Sequence, residues 1–492
     1  MIARTLAILL LGASLHAAER PNVLFIAVDD LRASVGVFGD KLAVTPHIDA
    51  LGARGTVFAN AHCQIAICNP SRASVMTGMR PDTIRVWGLK KHFREEKPKV
   101  ITLPQWFKQH GYHTHSIGKI YHGSGKPSTD PPSWSGQPEF DHCEKIDQYL
   151  LPKNRTGGKA AGAESSPSAD SDHLDGKVAE AAIQKLRLLK RTRQPFFLAV
   201  GFRKPHMPFS APAKYWALYD RAKLAQPINP RMPQGAPAIA AHQWPEARGY
   251  TDIPRQGAIT AAKVAELRHG YYAATSFMDA QVGRVVGELK RLGLDRNTVI
   301  SLYSDHGFHI GEQNLWGKLT NYDLGTRVPL LFVAPQQKTR GRVIRQAVEL
   351  LDIYPTLTEL CGLLKPDGLA GQSLARQLDH PEPTKNFALS QFPRPVDYNF
   401  KSAPPKSMGY SIRDDRYRLT QWIDFASGKV LAEEFYDYTV PRPESKNLID
   451  HLQSATSIDR HTIQTLTPGA TKGESLYSGP TAENQKSWKY TN

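Results

Sequence analysis

Three apolar runs of strand length stand out in the hydrophobic pattern of the chain. They are VLFIAV (residues 23–28), FFLAVGF (residues 196–202) and TVISLY (residues 298–303). Nearly every position in them is apolar, which is typical of strands that are covered on both faces in a parallel sheet. We therefore predict that these segments are buried strands of one sheet.

Helical periodicity fills the stretches between these strands. Val178, Ala182 and Leu186 lie on one face of a predicted helix, and a second apolar stripe runs through residues 264–292. Alternation of strand and helix over a long stretch is typical of α/β proteins. The pattern predicts a central, mostly parallel sheet flanked by helices.

The two ends of the chain have different patterns. Residues 1–18 contain a basic N-terminal region, then a short apolar run, and then small residues where cleavage would occur. This order is typical of a secretory signal peptide. No later apolar stretch is long enough to span a bilayer, so we expect a secreted or periplasmic protein with no membrane span. We divide the rest into a large domain (residues 19–380) and a smaller C-terminal subdomain with a polar tail (residues 381–492). In the subdomain, residues 410–413 and 417–420 predict an antiparallel hairpin.

Composition adds a strongly basic balance to this picture. The 492 residues include 62 Lys and Arg against 46 Asp and Glu, a net charge of +16. Such a charge suits either a solvated basic surface or a polyanionic ligand. We expect no nucleic-acid partner, because the basic residues are scattered and no zinc-finger or RNP-like motif accompanies them. A sulfated or carboxylated substrate is the remaining class of polyanion.

Charged residues follow each of the three predicted strands. Asp29 and Asp30 follow the first, and Asp305 and His306 follow the third. Because ligand sites form at the carboxyl ends of parallel strands, we expect these side chains to lie together. Three carboxylates and one imidazole suit a hard cation such as Ca²⁺ or Mg²⁺. The sequence therefore predicts a metal site there.

The segment CNPSR (residues 68–72) is the sharpest chemical motif. Pro70 suits the first turn of a helix, so Cys68 is predicted at a helix N-terminus, where the backbone amides favour anions. Arg72 lies one turn further on. On the residues alone, Cys68 is either a buried, inert thiol or a catalytic thiolate.

This segment, with ASVMTGMRP after it, resembles the signature of type I sulfatases. The segments PNVLFIAVDDLR, GKIYH and SDHGFHIGEQNLWGK agree, and the resemblance covers about residues 21 to 450. Within that family, GFRKPHMPF and SQFPRP are most similar to the iduronate-2-sulfatase branch. The resemblance implies an alkaline-phosphatase-like fold.

The resemblance also implies the chemistry. Cys68 is expected to be oxidised to formylglycine (3-oxoalanine) by a formylglycine-generating enzyme or an anaerobic maturase. The hydrated aldehyde is then the nucleophile, and a covalent sulfo-enzyme intermediate forms. The implied reaction is hydrolysis of O-sulfate esters on a sulfated glycan, at a uronic acid or related sugar, with 2-O-sulfate as one possibility.

Roles for individual residues follow from the same resemblance. His306 stands where many sulfatases have Asn, and Phe308 stands where close iduronate-type relatives have Trp. The expected Ca²⁺ ligands are Asp29, Asp30, Cys68, Asp305 and His306. The expected catalytic residues are Cys68, Arg72, Lys119, His122, His206 and Lys318, where His122 or His206 is the general acid. From the residues themselves, Lys204 is expected to neutralise sulfate oxygens, and Lys90 and His92, in the loop before Ile101, are expected to reach a substrate carboxylate. Together with Phe308, these are the expected substrate-binding residues.

Two further readings stay open at this stage. A phosphate or phosphonate ester hydrolase of the same superfamily uses similar metal-binding acids, and a glycan-binding relative without turnover could keep the scaffold. The remaining cysteines, Cys63, Cys143 and Cys361, allow at most one disulfide.

Overall fold

The computed structural model describes residues 20–123, 129–141, 148–192, 194–224, 227–380, 387–396 and 404–454. The predicted signal peptide, Cys143 and the polar tail beyond residue 454 lie outside these ranges. The boundary between the two predicted domains also falls on residues outside them, so this division stays a prediction.

Strands and helices alternate along most of the chain. The strands are β1 (Asn22–Val28), β2 (Thr56–Phe58), β3 (Ala61–His62), β4 (His113–Gly118), β5 (Ala163–Ser166), β6 (Phe196–Phe202), β7 (Phe209–Pro212), β8 (Thr298–Ser304), β9 (His309–Ile310), β10 (Trp316–Gly317), β11 (Arg327–Val328), β12 (Leu330–Val333), β13 (Arg342–Ile344), β14 (Val348–Glu349), β15 (Ala388–Arg394), β16 (Ser407–Arg413), β17 (Tyr417–Asp424) and β18 (Val430–Asp437). The α-helices are α1 (Pro46–Arg54), α2 (Cys68–Thr77), α3 (Pro81–Ile84), α4 (Phe93–Glu96), α5 (Leu103–Gln109), α6 (Leu174–Leu189), α7 (Ala213–Trp216), α8 (Ala261–Arg291), α9 (Asp323–Thr326) and α10 (Ile353–Leu360). Among the described residues, none of these helices combines the length and the apolar character that a membrane span needs.

The central sheet has seven strands in the order β13-β2-β12-β8-β1-β6-β4. The pairs β4–β6, β6–β1 and β1–β8 are parallel, whereas β12 runs antiparallel to both of its neighbours. The register aligns Val28 with Phe202 and with Ser304. The residues after β1, β6 and β8 therefore emerge at one edge of the sheet, as the sequence predicts.

Apolar side chains cover both faces of this sheet. Phe25 of β1 belongs to a core cluster that includes residues of α2, α5 and α10. Leu24 and Ile26 of the same strand point to the opposite face, where their cluster includes residues of α1, α6 and α8. Side chains of a strand alternate between faces, so β1 contributes to two cores at once. This explains why β1 is apolar at every position from Val23 to Val28.

The predicted hairpin near the C-terminus is confirmed as part of a four-stranded antiparallel sheet, β15-β16-β17-β18. Glu434 of β18 is buried, and its carboxylate accepts hydrogen bonds from the hydroxyls of Tyr322 (2.9 Å) and Tyr436 (2.8 Å) and from Trp422 Nε1 (2.9 Å). Tyr322 precedes α9 in the chain, far from β18 in sequence. A buried carboxylate needs such donors, so this contact holds the C-terminal sheet against the rest of the protein.

Replacing Tyr322 by Phe tests that contact. We expect Tyr322→Phe to lower the free energy of unfolding by roughly 2 kcal/mol, because it removes one hydrogen bond to a buried charged group. Urea unfolding followed by tryptophan fluorescence measures the change. Tyr417→Phe is the matched control, since the Tyr417 hydroxyl makes no hydrogen bond within the described ranges and its ring stacks on Phe435 in the same sheet. Equal midpoints for both variants would contradict the assignment.

Candidate functional site

Cys68 is the first residue of α2, as the sequence predicts. The whole helix is buried, and the hydroxyl of Ser71 donates to the carbonyl oxygen of Asp305 at 2.5 Å. This bond fixes the start of the helix against the end of β8. The Sγ atom of Cys68 lies 3.3 Å from Nε2 of His306.

The predicted metal-binding residues converge around this thiol. Asp30 has a left-handed backbone conformation (φ 61°), and its amide donates to Asp305 Oδ1 at 3.2 Å. The Nδ1 atom of His306 bonds the carbonyl of Gly307 at 3.0 Å, which turns Nε2 toward the carboxylates. Two overlapping sets each bring four ligand atoms within 4.8 Å of one another, namely Asp29, Cys68, Asp305 and His306, and Asp29, Asp30, Cys68 and His206.

This donor set fits a divalent cation. All of these residues are buried, and carboxylate oxygens are the preferred ligands of hard cations such as Ca²⁺ and Mg²⁺. An oxygen in place of the Cys68 sulfur would make the set harder still. The second set includes His206, which the sequence analysis assigned to catalysis rather than to the metal.

Three buried cations surround the acids. Arg72 donates through Nε to Asp305 Oδ2 (2.8 Å), and its NH2 group lies 3.2 Å from Asp29 Oδ1. Lys119 Nζ lies 2.7 Å from Asp29 Oδ2, and Lys318 Nζ lies 2.8 Å from Asp30 Oδ1. The structure thus brings Arg72, Lys119 and Lys318 together with Cys68, as predicted.

These charges shift the protonation of the thiol and of its imidazole neighbour. Burial favours the neutral thiol, but the ammonium groups of Lys119 and Lys318 lower the pKa of Cys68 well below its ordinary value. Burial also favours a neutral imidazole, yet Asp305 and Cys68 raise the pKa of His306 to about 9. In both groups the neighbouring charges outweigh the effect of burial on the pKa.

Glu246 is a residue of the site that the sequence analysis missed. It lies in the proline-rich stretch between β7 and α8, and its carboxylate bridges two predicted catalytic residues, with Oε2 3.2 Å from Lys318 Nζ and Oε1 3.2 Å from His206 Nε2. His206 Nδ1 donates to the carbonyl of Met207 at 2.6 Å. Burial, together with Lys318 and Arg203, lowers the pKa of His206 well below its usual value.

Lys204 and Phe308 are buried, and their contacts are with protein groups. The ammonium group of Lys204 donates to the carbonyls of Pro208 (2.6 Å) and His206 (3.3 Å). Burial and the neighbouring Arg203 lower the pKa of Lys204 to about 7. Phe308 packs against Tyr271, and its ring centre lies 5.9 Å from Lys318 Nζ. The Phe308 ring therefore lies beneath the ammonium group of Lys318. The predicted contacts of Phe308 and Lys204 with substrate stay predictions.

The remaining predicted residues lie on two segments near Cys68. His122 is half-buried and follows Lys119 by one short turn after β4. Lys90 is exposed on a loop whose backbone carbonyls at Gly88 and Lys91 accept from Asn69 Nδ2, each at 2.8 Å. His92 caps α4, because its side chain accepts from the amide of Arg94. Their proposed contacts with substrate stay predictions.

Comparisons with known proteins identify related families and relatives. The Sulfatase family model matches residues 21–363, and the model for the C-terminal part of N-sulphoglucosamine sulphohydrolase matches residues 311–471. Iduronate 2-sulfatase of Mus musculus is 34% identical over 480 residues, which cover 85% of this chain and 87% of that protein.

Two solved structures share the fold. The phosphonate monoester hydrolase of Silicibacter pomeroyi superposes with a TM-score of 0.71 at 20% identity, over 91% of this chain and 94% of that one. A 2-O GAG sulfatase superposes with a TM-score of 0.64 at 22% identity, over 89% of each chain. At such identities the likeness shows the architecture alone, and it confirms the predicted alkaline-phosphatase-like arrangement of a mostly parallel central sheet with a C-terminal antiparallel sheet.

Proposed function

This chain belongs to the sulfatase family, the sulfuric ester hydrolases, and on that premise we propose that it cleaves O-sulfate esters from a sulfated glycan. The substrate sugar is a uronic acid or a related sugar, and the 2-O position is the first to test. The names of two relatives, iduronate 2-sulfatase and 2-O GAG sulfatase, support this choice. The basic surroundings of Cys68 suit an anionic sugar better than a neutral one.

One observation carries the proposal. Cys68 lies at a helix N-terminus among buried carboxylates, and two of these, Asp29 and Asp30, contact the ammonium groups of Lys119 and Lys318. A sulfate monoester carries a negative charge that must be neutralised before a nucleophile can attack sulfur. Buried lysines beside the predicted nucleophile meet that requirement.

We assign the metal and the modification to the same residues as above. Ca²⁺ held by Asp29, Asp30, Asp305, His306 and modified Cys68 would supply positive charge for the sulfate oxygens. Formylglycine at position 68 would supply a hydrated aldehyde as nucleophile. We propose that the chain is exported, and that a formylglycine-generating enzyme or an anaerobic maturase converts Cys68.

The chain's own side chains then divide the remaining work. Lys119 and Lys318 bind sulfate oxygens, and Arg72 orients the start of α2 through its contacts with two of the acids. The leaving group is a sugar alkoxide, so it needs a proton from a general acid. His122 or His206 is the candidate for this role, which contributes on the order of 10²–10⁴-fold to the rate. The lowered pKa of His206 favours His122 as the donor.

Sulfate release from a panel of sulfated glycans tests the function. We expect release from oligosaccharides that carry a sulfated uronic acid, and much slower turnover of phosphonate monoesters. The phosphonate arm is included because the phosphonate monoester hydrolase of Silicibacter pomeroyi shares the fold at a TM-score of 0.71. Turnover of phosphonate monoesters without sulfate release would overturn the proposal in favour of that activity.

Glu246→Gln tests whether Glu246 positions the catalytic residues. The amide keeps the shape but loses the negative charge that pairs with Lys318, so we expect kcat for sulfate release to fall about tenfold while KM changes less than about threefold. Steady-state kinetics on one sulfated oligosaccharide measure both values. Glu180→Gln is the control, since Glu180 pairs with Arg284 on the surface. An unchanged kcat in Glu246→Gln would rule out a positioning role.

A further inference from the structure

Lys159 is held at the edge of the site, beside Glu246. Its Nζ atom donates to the backbone carbonyl of Glu246 at 2.9 Å and lies 4.8 Å from the centre of the Tyr250 ring. Gly249 makes room for this arrangement, because a Cβ atom there would come within 3.0 Å of Lys159 Nζ. The residue is exposed, yet its ammonium group has a defined place.

The backbone around Lys159 is also fixed. The amide of Ala160 donates to the hydroxyl of Tyr149 at 3.0 Å, and the carbonyl of Ala160 accepts from the amide of Thr251 at 2.9 Å. These bonds connect the loop that carries Lys159 to the segment that carries Glu246. Because the loop is already ordered, little conformational entropy is lost when a ligand binds Lys159.

Glu246 connects Lys159 to the predicted sulfate-binding residues. Its carbonyl accepts from Lys159, while its carboxylate lies 3.2 Å from Lys318 Nζ. Glu246 therefore contacts both ammonium groups, that of Lys159 through its backbone carbonyl and that of Lys318 through its carboxylate. Burial lowers the pKa of Lys159, the carboxylate of Glu246 opposes this, and the charge of Lys318 lowers the pKa further.

The ammonium group of Lys159 has donors to spare. An ammonium group has three N–H donors, and within the described ranges the structure gives it one acceptor, the Glu246 carbonyl. The remaining donors are open to solvent or to a ligand. A second anionic group on the substrate, next to the sulfate, would find the Lys159 ammonium group at this position. The Tyr250 ring lies on the other side of that ammonium group.

We propose that Lys159 binds a second anionic group of the substrate, namely a carboxylate or a further sulfate on the sugar next to the sulfate ester that is cleaved. This inference rests on the proposed function, since it assumes a sulfated sugar in the site. Lys159 would then make the enzyme bind substrates with two anionic groups more tightly than substrates with one.

Calorimetric titration on Cys68→Ala protein tests the subsite without turnover. The probes are three disaccharides with the same sulfate ester: one with a uronate carboxylate, one with that carboxylate reduced to an alcohol, and one reduced but carrying a second sulfate. In this background we expect Lys159→Met to weaken binding of a dianionic probe about five- to tenfold and of the alcohol less than twofold. Whichever dianionic probe responds identifies the anion.

Two further variants make the result specific. Lys159→Arg should keep most of the dianion preference, because it keeps the charge, and Lys153→Met should behave as the parent, because Lys153 is an exposed residue of the same loop. Equal weakening of all three probes by Lys159→Met, or no weakening of any, would overturn the subsite. Failure of the proposed function has a different signature: the protein with Cys68 intact releases no sulfate from any of the probes.

Discussion

Cys68→Ala and Cys68→Ser are both expected to lower sulfate release by about 10⁴-fold or more, because each removes the nucleophile. Serine is the informative variant, since it keeps an oxygen at the helix N-terminus but cannot form an aldehyde. Both side chains are small enough to occupy the buried position, which is 3% exposed in the wild-type protein. Sulfate release from a sulfated oligosaccharide, measured by ion chromatography, gives the rates.

The control for the Cys68 variants is Cys63→Ser. Cys63 is buried five residues away, and its sulfur contacts the carbonyl of Gly325 rather than the acids of the site. We expect Cys63→Ser to retain most of its activity if the protein folds, which circular dichroism checks. The wild-type peptide that contains Cys68 should be lighter than its thiol form, because the conversion to formylglycine removes one sulfur and two hydrogens and adds one oxygen. Full activity in Cys68→Ser would contradict the mechanism.

The central sheet is predictable where its strands are long and covered on both faces. The apolar runs of β1, β6 and β8 match the strands of the structure to within one residue at each end. By contrast, β2, β12 and β13 have only three or four residues each, too few to show a period. The antiparallel direction of β12 is also invisible in its own sequence, because direction depends on the path of the connecting segments.

The site is predictable where its residues follow strands or match the sulfatase signature. Glu246 satisfies neither condition, because it lies in a proline-rich connection with no apolar period. Its pairing with Lys318 arises only when that connection folds back over the sheet edge. Lys204 follows β6, and its neighbours in the sequence predict a site cation; its ammonium group donates to the carbonyl of Pro208, and its contact with substrate stays a prediction.

Asp305→Asn is expected to abolish the response of the protein to Ca²⁺ and to lower sulfate release about 10³-fold. In the structure, Asp305 accepts from the amides of Asp30 and His306 through Oδ1 and from Arg72 through Oδ2. An amide in its place removes the charge that attracts a cation and leaves the guanidinium of Arg72 with one fewer carboxylate. Both losses act on the residues that surround Cys68.

Thermal unfolding separates the loss of Ca²⁺ binding from the loss of activity. A ligand that binds only the folded state stabilises it by about 2.7 kcal/mol at 100 times its Kd, so EGTA should lower the Tm of the wild-type protein and excess Ca²⁺ should restore it. Asp305→Asn should show the same Tm in EGTA and in Ca²⁺. Asp295→Asn is the control, because Asp295 pairs with Arg54 at the opposite end of β8, and it should respond to Ca²⁺ as the wild type does.

If Asp305→Asn kept the full Ca²⁺ response, the metal ligands would have to be reassigned. A response to Mg²⁺ as large as that to Ca²⁺ would leave the site in place and change the ion.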